Sequence, residues 1–240
     1  MRALGALFLI TTSLWAVEPA EPSQARIDEI IKTFAAHESD FAVARENYTY
    51  RQTARIQELD RSGNIMGRWE TVSDIVFNTQ NRRTERVVRA PVSTLKAITL
   101  TPEDLQDLKN VQPFVLTTDN LPDYQINYLG KEKLDALDCY AFAVKPKKLE
   151  KGQRYFSGIV WVDQQDLQVV RTYGRGVGIA KGQAFPKFET TRQQIDGKYW
   201  FPVYTIAEDT LHFEDSSQRI RQVVKYEDYK QFKDRKSTRL

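Results

Sequence analysis

Residues 187–208 read KFETTRQQIDGKYWFPVYTIAE, two alternating runs joined by Asp196-Gly197. Both runs repeat with a period of two, the side-chain period of a β-strand. An Asp-Gly link supplies the positive φ values of a tight two-residue turn, so the segment predicts an antiparallel hairpin. The same pattern recurs outward from it. Residues 124–129, 139–144, 154–162 and 167–173 predict strands on one side, and 219–229 on the other. Between them lie turn-forming clusters at 135–138, 146–152, 163–166 and 214–217, rich in Asp, Ser, Gly and Pro.

The front of the chain repeats the theme after a helix. Ile27, Ile30, Ile31 and Phe34 recur at helical spacing within residues 21–44, with Ser23 placed as the N-cap. From Asn47 the period becomes two: Tyr48, Tyr50, Ala54 and Ile56 alternate with Thr49, Arg51, Thr53 and Arg55. That predicts a half-buried strand with one wet face. Strands at 65–77 and 82–89, with turns at 60–63 and 78–81, complete a meander. Thr101-Pro102-Glu103-Asp104 interrupts the β pattern with a cap, a proline at the first helical position and two acids. A short helix is expected there. The total is about ten strands and two helices. Twist accumulates across so many strands, so the expected fold is mainly β with a few helices (α+β): a curved antiparallel sheet forming an open, incomplete β-barrel covered by helices.

The composition is that of a folded protein, with 41% apolar and 28% charged residues and a net charge of +3. Basic residues cluster only at Lys145-Pro146-Lys147-Lys148 and in the tail from Lys233 to Arg239. Nucleic-acid binding needs a basic face, and none is expected. Met1-Arg2, the uncharged run 3–14 and Trp15-Ala16 have the three-part form of a secretory signal, with Ala16 as the cleavage residue. The run is too short to span a bilayer as a helix. Residues 1–16 are therefore read as a signal peptide, and 17–240 as one β domain with a basic tail at 230–240. The expected location is the periplasm. Cys139 is the single cysteine and sits in an apolar strand, which predicts a buried, inert thiol.

Several segments together resemble a known family. They are Tyr48-Thr49-Tyr50, the basic strand Arg82-Arg83-Thr84-Glu85-Arg86, Tyr128-Leu129-Gly130-Lys131-Glu132, and Cys139 through Pro146. Phe156 through Asp163, the return strand 167–171 and Ile195 through Val203 complete the set. In this order they resemble the periplasmic outer-membrane lipoprotein carrier and sorting-protein superfamily, which is related to envelope-stress sigma-factor regulator domains. The resemblance covers roughly residues 47–229. It implies an unclosed antiparallel barrel with helices over its mouth and an apolar cavity that holds acyl chains. The carriers' cavity arginine has four counterparts in the right region, Arg82, Arg83, Arg86 and Arg89, and is placed on none of them.

No constellation of reactive residues stands out beside it. His37 and His212 are remote from one another and from Cys139, which supplies neither a metal spacing nor a Cys-His pair. Gly174-Arg175-Gly176-Val177-Gly178 has the wrong glycine spacing for a dinucleotide fingerprint and is read as a flexible loop. The acids Asp163, Asp166, Glu208, Asp209, Glu214 and Asp215 fall at strand ends and turns. The expectation is therefore a carrier rather than an enzyme, with no catalytic residue, metal or cofactor. The cavity candidates are the strand-borne Tyr48, Tyr50, Ile56, Trp69, Phe77, Phe142, Tyr155, Ile159, Trp161 and Phe201. The expected partners are lipid or lipoprotein acyl chains, with transient membrane contact. The alternative is an envelope sensor or scaffold module binding another protein. A monomer is expected.

Overall fold

The computed structural model describes residues 21–77, 83–178 and 184–231. Residues 1–16, read above as a signal peptide, Arg82 and nearly all of the basic tail lie outside the described residues. Helix α1 (Gln24–Arg45) starts where the sequence places it: the Ser23 hydroxyl accepts the Arg26 N–H at 3.3 Å. Ten strands follow, β1 (Tyr48–Leu59), β2 (Ile65–Phe77), β3 (Arg83–Ser93), β4 (Tyr124–Leu134), β5 (Leu137–Pro146), β6 (Tyr155–Asp163), β7 (Val169–Val177), β8 (Phe188–Ile195), β9 (Tyr199–His212) and β10 (Ser217–Gln231). They form one antiparallel sheet in the order β3-β2-β1-β10-β9-β8-β7-β6-β5-β4.

Each strand pairs with its neighbours in sequence, except that β3 and β4 do not pair and β1 pairs with β10. The open edges are consequently β3 and β4, which adjoin in sequence through residues 94–123. In a flat sheet those edges would stand roughly 40 Å apart, at about 4.8 Å per strand pair. Arg83 of β3 and Tyr124 of β4 nevertheless line one cleft. The sheet is therefore strongly curled but not closed, as expected from accumulated twist.

The connection 94–123 crosses the concave side. It holds helix α2 (Pro102–Gln106), a π-helical turn (Asp107–Val111) and a 3-10 turn (Leu121–Asp123). Thr101 and Asp104 form a reciprocal capping box, with Pro102 in the first turn. The start of the connection is pinned by Glu58 of β1, whose carboxylate is only 1% exposed. It accepts backbone N–H bonds from Lys96, Ala97 and Ile98 at 2.7–3.0 Å.

The Asp196-Gly197 hairpin forms as predicted, with φ of 56° and 68°. The glycine-rich segment does not. Gly174 to Val177 belong to β7 rather than to a flexible loop. Gly174 faces Gly158 of β6 in the ladder. A Cβ on Gly174 would meet the Ser157 carbonyl and the Phe156 ring, and one on Gly176 would meet Asp107 and Arg154. The alternating glycines thus make room beneath the sheet for a ring and an ion pair. Their spacing reports close packing, not loop freedom.

The main core lies between α1, the connection and strands β4 to β9. Ile30, Phe34 and Ala35 of α1 pack on Phe142, Val144, Phe156 and Val160. Each such fully buried large side chain contributes about 1.5–3 kcal/mol. The outward faces of β5 to β7 carry a second cluster, Cys139, Ala141, Trp161 and Val170. Cys139 is fully buried, and burial pushes its thiol pKa up to about 11, so it is the inert thiol expected.

Candidate functional site

A cleft of about 780 Å³ lies within the size range of small-ligand sites. It opens where the end of α1, the connection and the β1–β10–β9 part of the sheet meet. One wall is aromatic. Tyr50 of β1 stacks on Tyr229 of β10 with ring centroids 5.1 Å apart, and Tyr226 stands 6.1 Å from Tyr50. Phe201 closes on Tyr229 at 4.8 Å. Burial holds the Tyr226 and Tyr229 hydroxyls well above the ordinary tyrosine pKa, so this wall stays uncharged.

The pairing of two tyrosines three positions apart on one strand face needs an irregularity, because strict alternation would send them to opposite faces. Asp228 supplies it. Its φ is 57°, and the β1–β10 register shifts between Thr49 and Arg51. This β-bulge turns Tyr229 to the side already held by Val224 and Tyr226.

The rest of the lining is largely polar. Arg45 ends α1, Arg83 begins β3, Lys109 lies on the π turn, and Arg154 precedes β6; all four line the cleft. Arg154 makes a buried ion pair with Asp107, Nε to Oδ1 at 2.8 Å, the side chains being 4% and 8% exposed. Burial pushes the Asp107 pKa up, against the pull of Arg154. Lys109 and Arg83 share Glu85, at 3.2 and 3.6 Å. The apolar hollow expected from the sequence is thus an amphipathic cleft at one end of the concave face. The rest of that face is filled by α1 and the connection.

Of the ten cavity candidates, the structure brings Tyr50, Phe77, Tyr155 and Phe201 to this cleft. Ile56 lines a smaller hollow of about 290 Å³ beneath Ile98 and Leu100. Trp69 packs beside it in the same cluster. Tyr48 is core between Phe201 and the Asp196 carboxylate, to which its hydroxyl donates at 3.0 Å. Phe142 is sealed under Phe34 of α1. Ile159 and Trp161 point to the other side of the sheet, where Trp161 Nε1 donates to Glu132 at 2.7 Å. Strand β6 is apolar on both faces, and alternation alone does not say which one turns inward. The face of Phe156, Val160 and Val162 does.

Sequence reasoning missed Tyr226, Tyr229, Arg45, Lys109 and Arg154. The first pair depends on the bulge, and the cations look like ordinary solvated charges in the linear chain. Neither histidine joins the cleft: His37 Nδ1 bonds the Leu167 carbonyl at 3.1 Å, and His212 Nδ1 bonds Ser217 at 2.9 Å. Among the described residues, no group of three or more His, Cys, Asp and Glu side chains is placed to hold a metal ion. No described helix is long and apolar enough to cross a membrane.

A family model described as "-like: Uncharacterized protein" matches residues 114–236, just over half of the chain. The chain belongs to that family. The match starts at Phe114 within the connection and runs through β10, so it takes in Phe201, Tyr226 and Tyr229 of the aromatic wall but not Tyr50, and none of α1 or β1 to β3. No curated protein matches the sequence. Among solved structures, the chain is similar to a LolA superfamily protein from Nitrosomonas europaea. The identity is 14%, the TM-score 0.36, and 82% of this chain and 94% of that one are covered. It is also similar to a putative outer membrane lipoprotein-sorting protein domain from Vibrio parahaemolyticus, at 12% identity and TM-score 0.38, covering 83% and 93%. MucB follows at 11% and 0.30, covering 85% and 94%.

Proposed function

We propose that this chain is a periplasmic carrier that takes lipid or lipoprotein acyl chains into the cleft at the end of its concave face, without catalysis. The observation that carries the reading is the cleft itself: about 780 Å³, walled on one side by Tyr50, Phe77, Phe201, Tyr226 and Tyr229. A flexible chain laid on such a wall gains about 0.8 kcal/mol per buried CH₂. Firm yet reversible holding then needs no reactive group. Residues 1–16 act as the export signal, and the mature chain begins after Ala16.

The connection 94–123 serves as the movable side of the cleft. Its Asp107–Arg154 and Glu58 contacts fix the closed position, while α1 is held more deeply by the core. The test is to isolate the mature protein from its periplasm, extract it with organic solvent and analyse the extract by mass spectrometry. Delipidated protein is titrated beside it with a fluorescent acyl probe. Co-purifying acyl lipid and saturable probe binding are expected, and absence of both removes the proposal.

A second reading has its own observation. Edge strand β3 exposes Val87, Val88 and Val92, at 51–67% of their surface, beside an unpaired backbone edge. Such an edge suits strand addition by a protein partner. A single stoichiometric envelope protein, captured without lipid and lost on shielding β3, favours a scaffold module over a carrier.

A further inference from the structure

The cleft carries more hydrogen-bond donors than the protein satisfies. Arg45 Nε, Arg83 Nε and Arg154 Nη1 are each shielded from solvent and have no acceptor. All three side chains line the same cleft. Arg154 and Arg83 already spend their other nitrogens on Asp107, Gln52 and Glu85. Arg45 has no ion pair or hydrogen bond among the described residues; its guanidinium lies 6.0 Å from the Phe41 ring centroid. Burial, with Arg192 nearby, pulls the Arg45 pKa below the ordinary arginine value. An arginine does not solve that problem by losing its proton. A desolvated donor left without an acceptor is unfavourable, and a desolvated cation more so unless a counter-charge comes close to it.

The acids near the cleft relieve this only at a distance: Glu38 and Glu46 act on Arg45 without touching it. Glu46 and Asp123 line the hollow, yet neither forms an ion pair within 4.0 Å of Arg45, Arg83, Lys109 or Arg154 among the described residues. Glu85 is already shared by Arg83 and Lys109. Asp107 is committed to Arg154 by two contacts. What the cleft lacks is therefore an acceptor-rich anion for the three guanidinium groups, in a hollow that they share with an uncharged aromatic wall.

We infer that the cleft selects amphiphiles with an anionic head, a phosphate or a carboxylate, seated on Arg45, Arg83 and Arg154 while the chain lies along Tyr50, Tyr226 and Tyr229. This rests on the proposed acyl-chain binding and narrows it to a ligand class. Phosphate and carboxylate share the needed chemistry, since each offers several acceptor lone pairs to forked N–H donors.

The test uses the full mature chain, delipidated, in calorimetric titrations with four probes. Three share one acyl chain: a lysophosphatidic acid, a fatty acid and a neutral monoacylglycerol. The fourth is inorganic phosphate. The anionic amphiphiles are expected to bind roughly ten- to a hundredfold more tightly than the neutral one, the range of one or more charge-assisted hydrogen bonds. That preference should shrink with added salt. Arg45→Gln and, separately, Arg83→Gln should each lower the anionic affinities at least several-fold and leave the monoacylglycerol unchanged. Arg45→Gln should also keep or raise the melting temperature of the ligand-free protein, because it removes a charge that is desolvated and has no directly bonded partner; a purely structural arginine would lower it. Equal binding of neutral and anionic amphiphiles overturns the inference while leaving the acyl-chain proposal standing. Inorganic phosphate binding as tightly as the amphiphiles overturns it in favour of a soluble-anion site. Failure of every amphiphile removes the acyl-chain proposal and this inference together.

Discussion

Arg192 and Arg45 show opposite uses of one side chain. Arg192 of β8 is 1% exposed and fully satisfied. It grips Glu38 of α1 at 2.7 and 3.1 Å, and donates to the Phe114 carbonyl of the connection and the Val169 carbonyl of β7. One guanidinium thus ties the helix, the connection and the sheet together. Truncating one partner of a buried pair leaves the other charge unpaired, which costs about 3–5 kcal/mol. Glu38→Ala and Arg192→Ala should each destabilise the fold by that order in urea unfolding. Replacing both by apolar residues should recover only part of the loss, because the two carbonyls remain without their donor. A single variant with wild-type stability would refute the clasp. Arg45 has no such partners among the described residues, and the proposed anion site rests on that contrast.

At the scale of elements, the outermost strand is held by charge rather than by core. Strand β3 is almost wholly exposed. Its grip on β2 runs through carboxylates shared between strands: Asp74 bonds Arg51 of β1 and Arg86 of β3, and Glu70 bonds Arg55 and Arg89 in the same way. Hydrogen bonds from Arg51 and Arg86 lower the Asp74 pKa, and the bond from Arg55 lowers that of Glu70. A carboxyl with a depressed folded-state pKa binds its proton less tightly in the folded than in the unfolded chain. The stability it adds is present above the ordinary carboxylate pKa and is lost as the pH falls towards the folded value. Amide exchange in β3, corrected for its intrinsic pH dependence, should therefore accelerate on acidification relative to β5 and β6. Asp74→Asn should flatten that response. Uniform protection across the sheet on acidification would disprove the charge-held edge. Strand β10 shows the other element-scale device, a bulge at Asp228 that brings Tyr229 onto the aromatic wall.

Over the whole molecule, one long-range contact decides whether the sheet exists. Strand β1 meets β10 along Tyr48 to Leu59 against Arg219 to Gln231, the opposite ends of the described chain. Without it the meander β1–β2–β3 would have no neighbour but the connection. Contacts so distant in sequence must be closed before they contribute, so folding should be slow for its size, in the millisecond-to-second range. Refolding followed by the fluorescence of Trp69, Trp161 and Trp200 should show it. A chain ending before Ser217 should lose its cooperative transition. A truncated chain that melts as sharply as the complete one would contradict this account.

Periodicity and turn chemistry alone determined the local elements: the ten strands, the capped helices, the Asp196-Gly197 hairpin and the buried Cys139. These depend on neighbours in sequence, and the chain states them directly. Glycines at 158, 174 and 176 and the doubly apolar β6 were legible as residues but not in meaning, because both depend on what packs across from them. Only the tertiary structure chose the inward face of β6, turned Tyr229 beside Tyr226, and left Arg45 without an acceptor in a cleft between distant segments. Side-chain alternation fixes two faces but is symmetric between them. Only the curl of the sheet and the path of the connection break that symmetry.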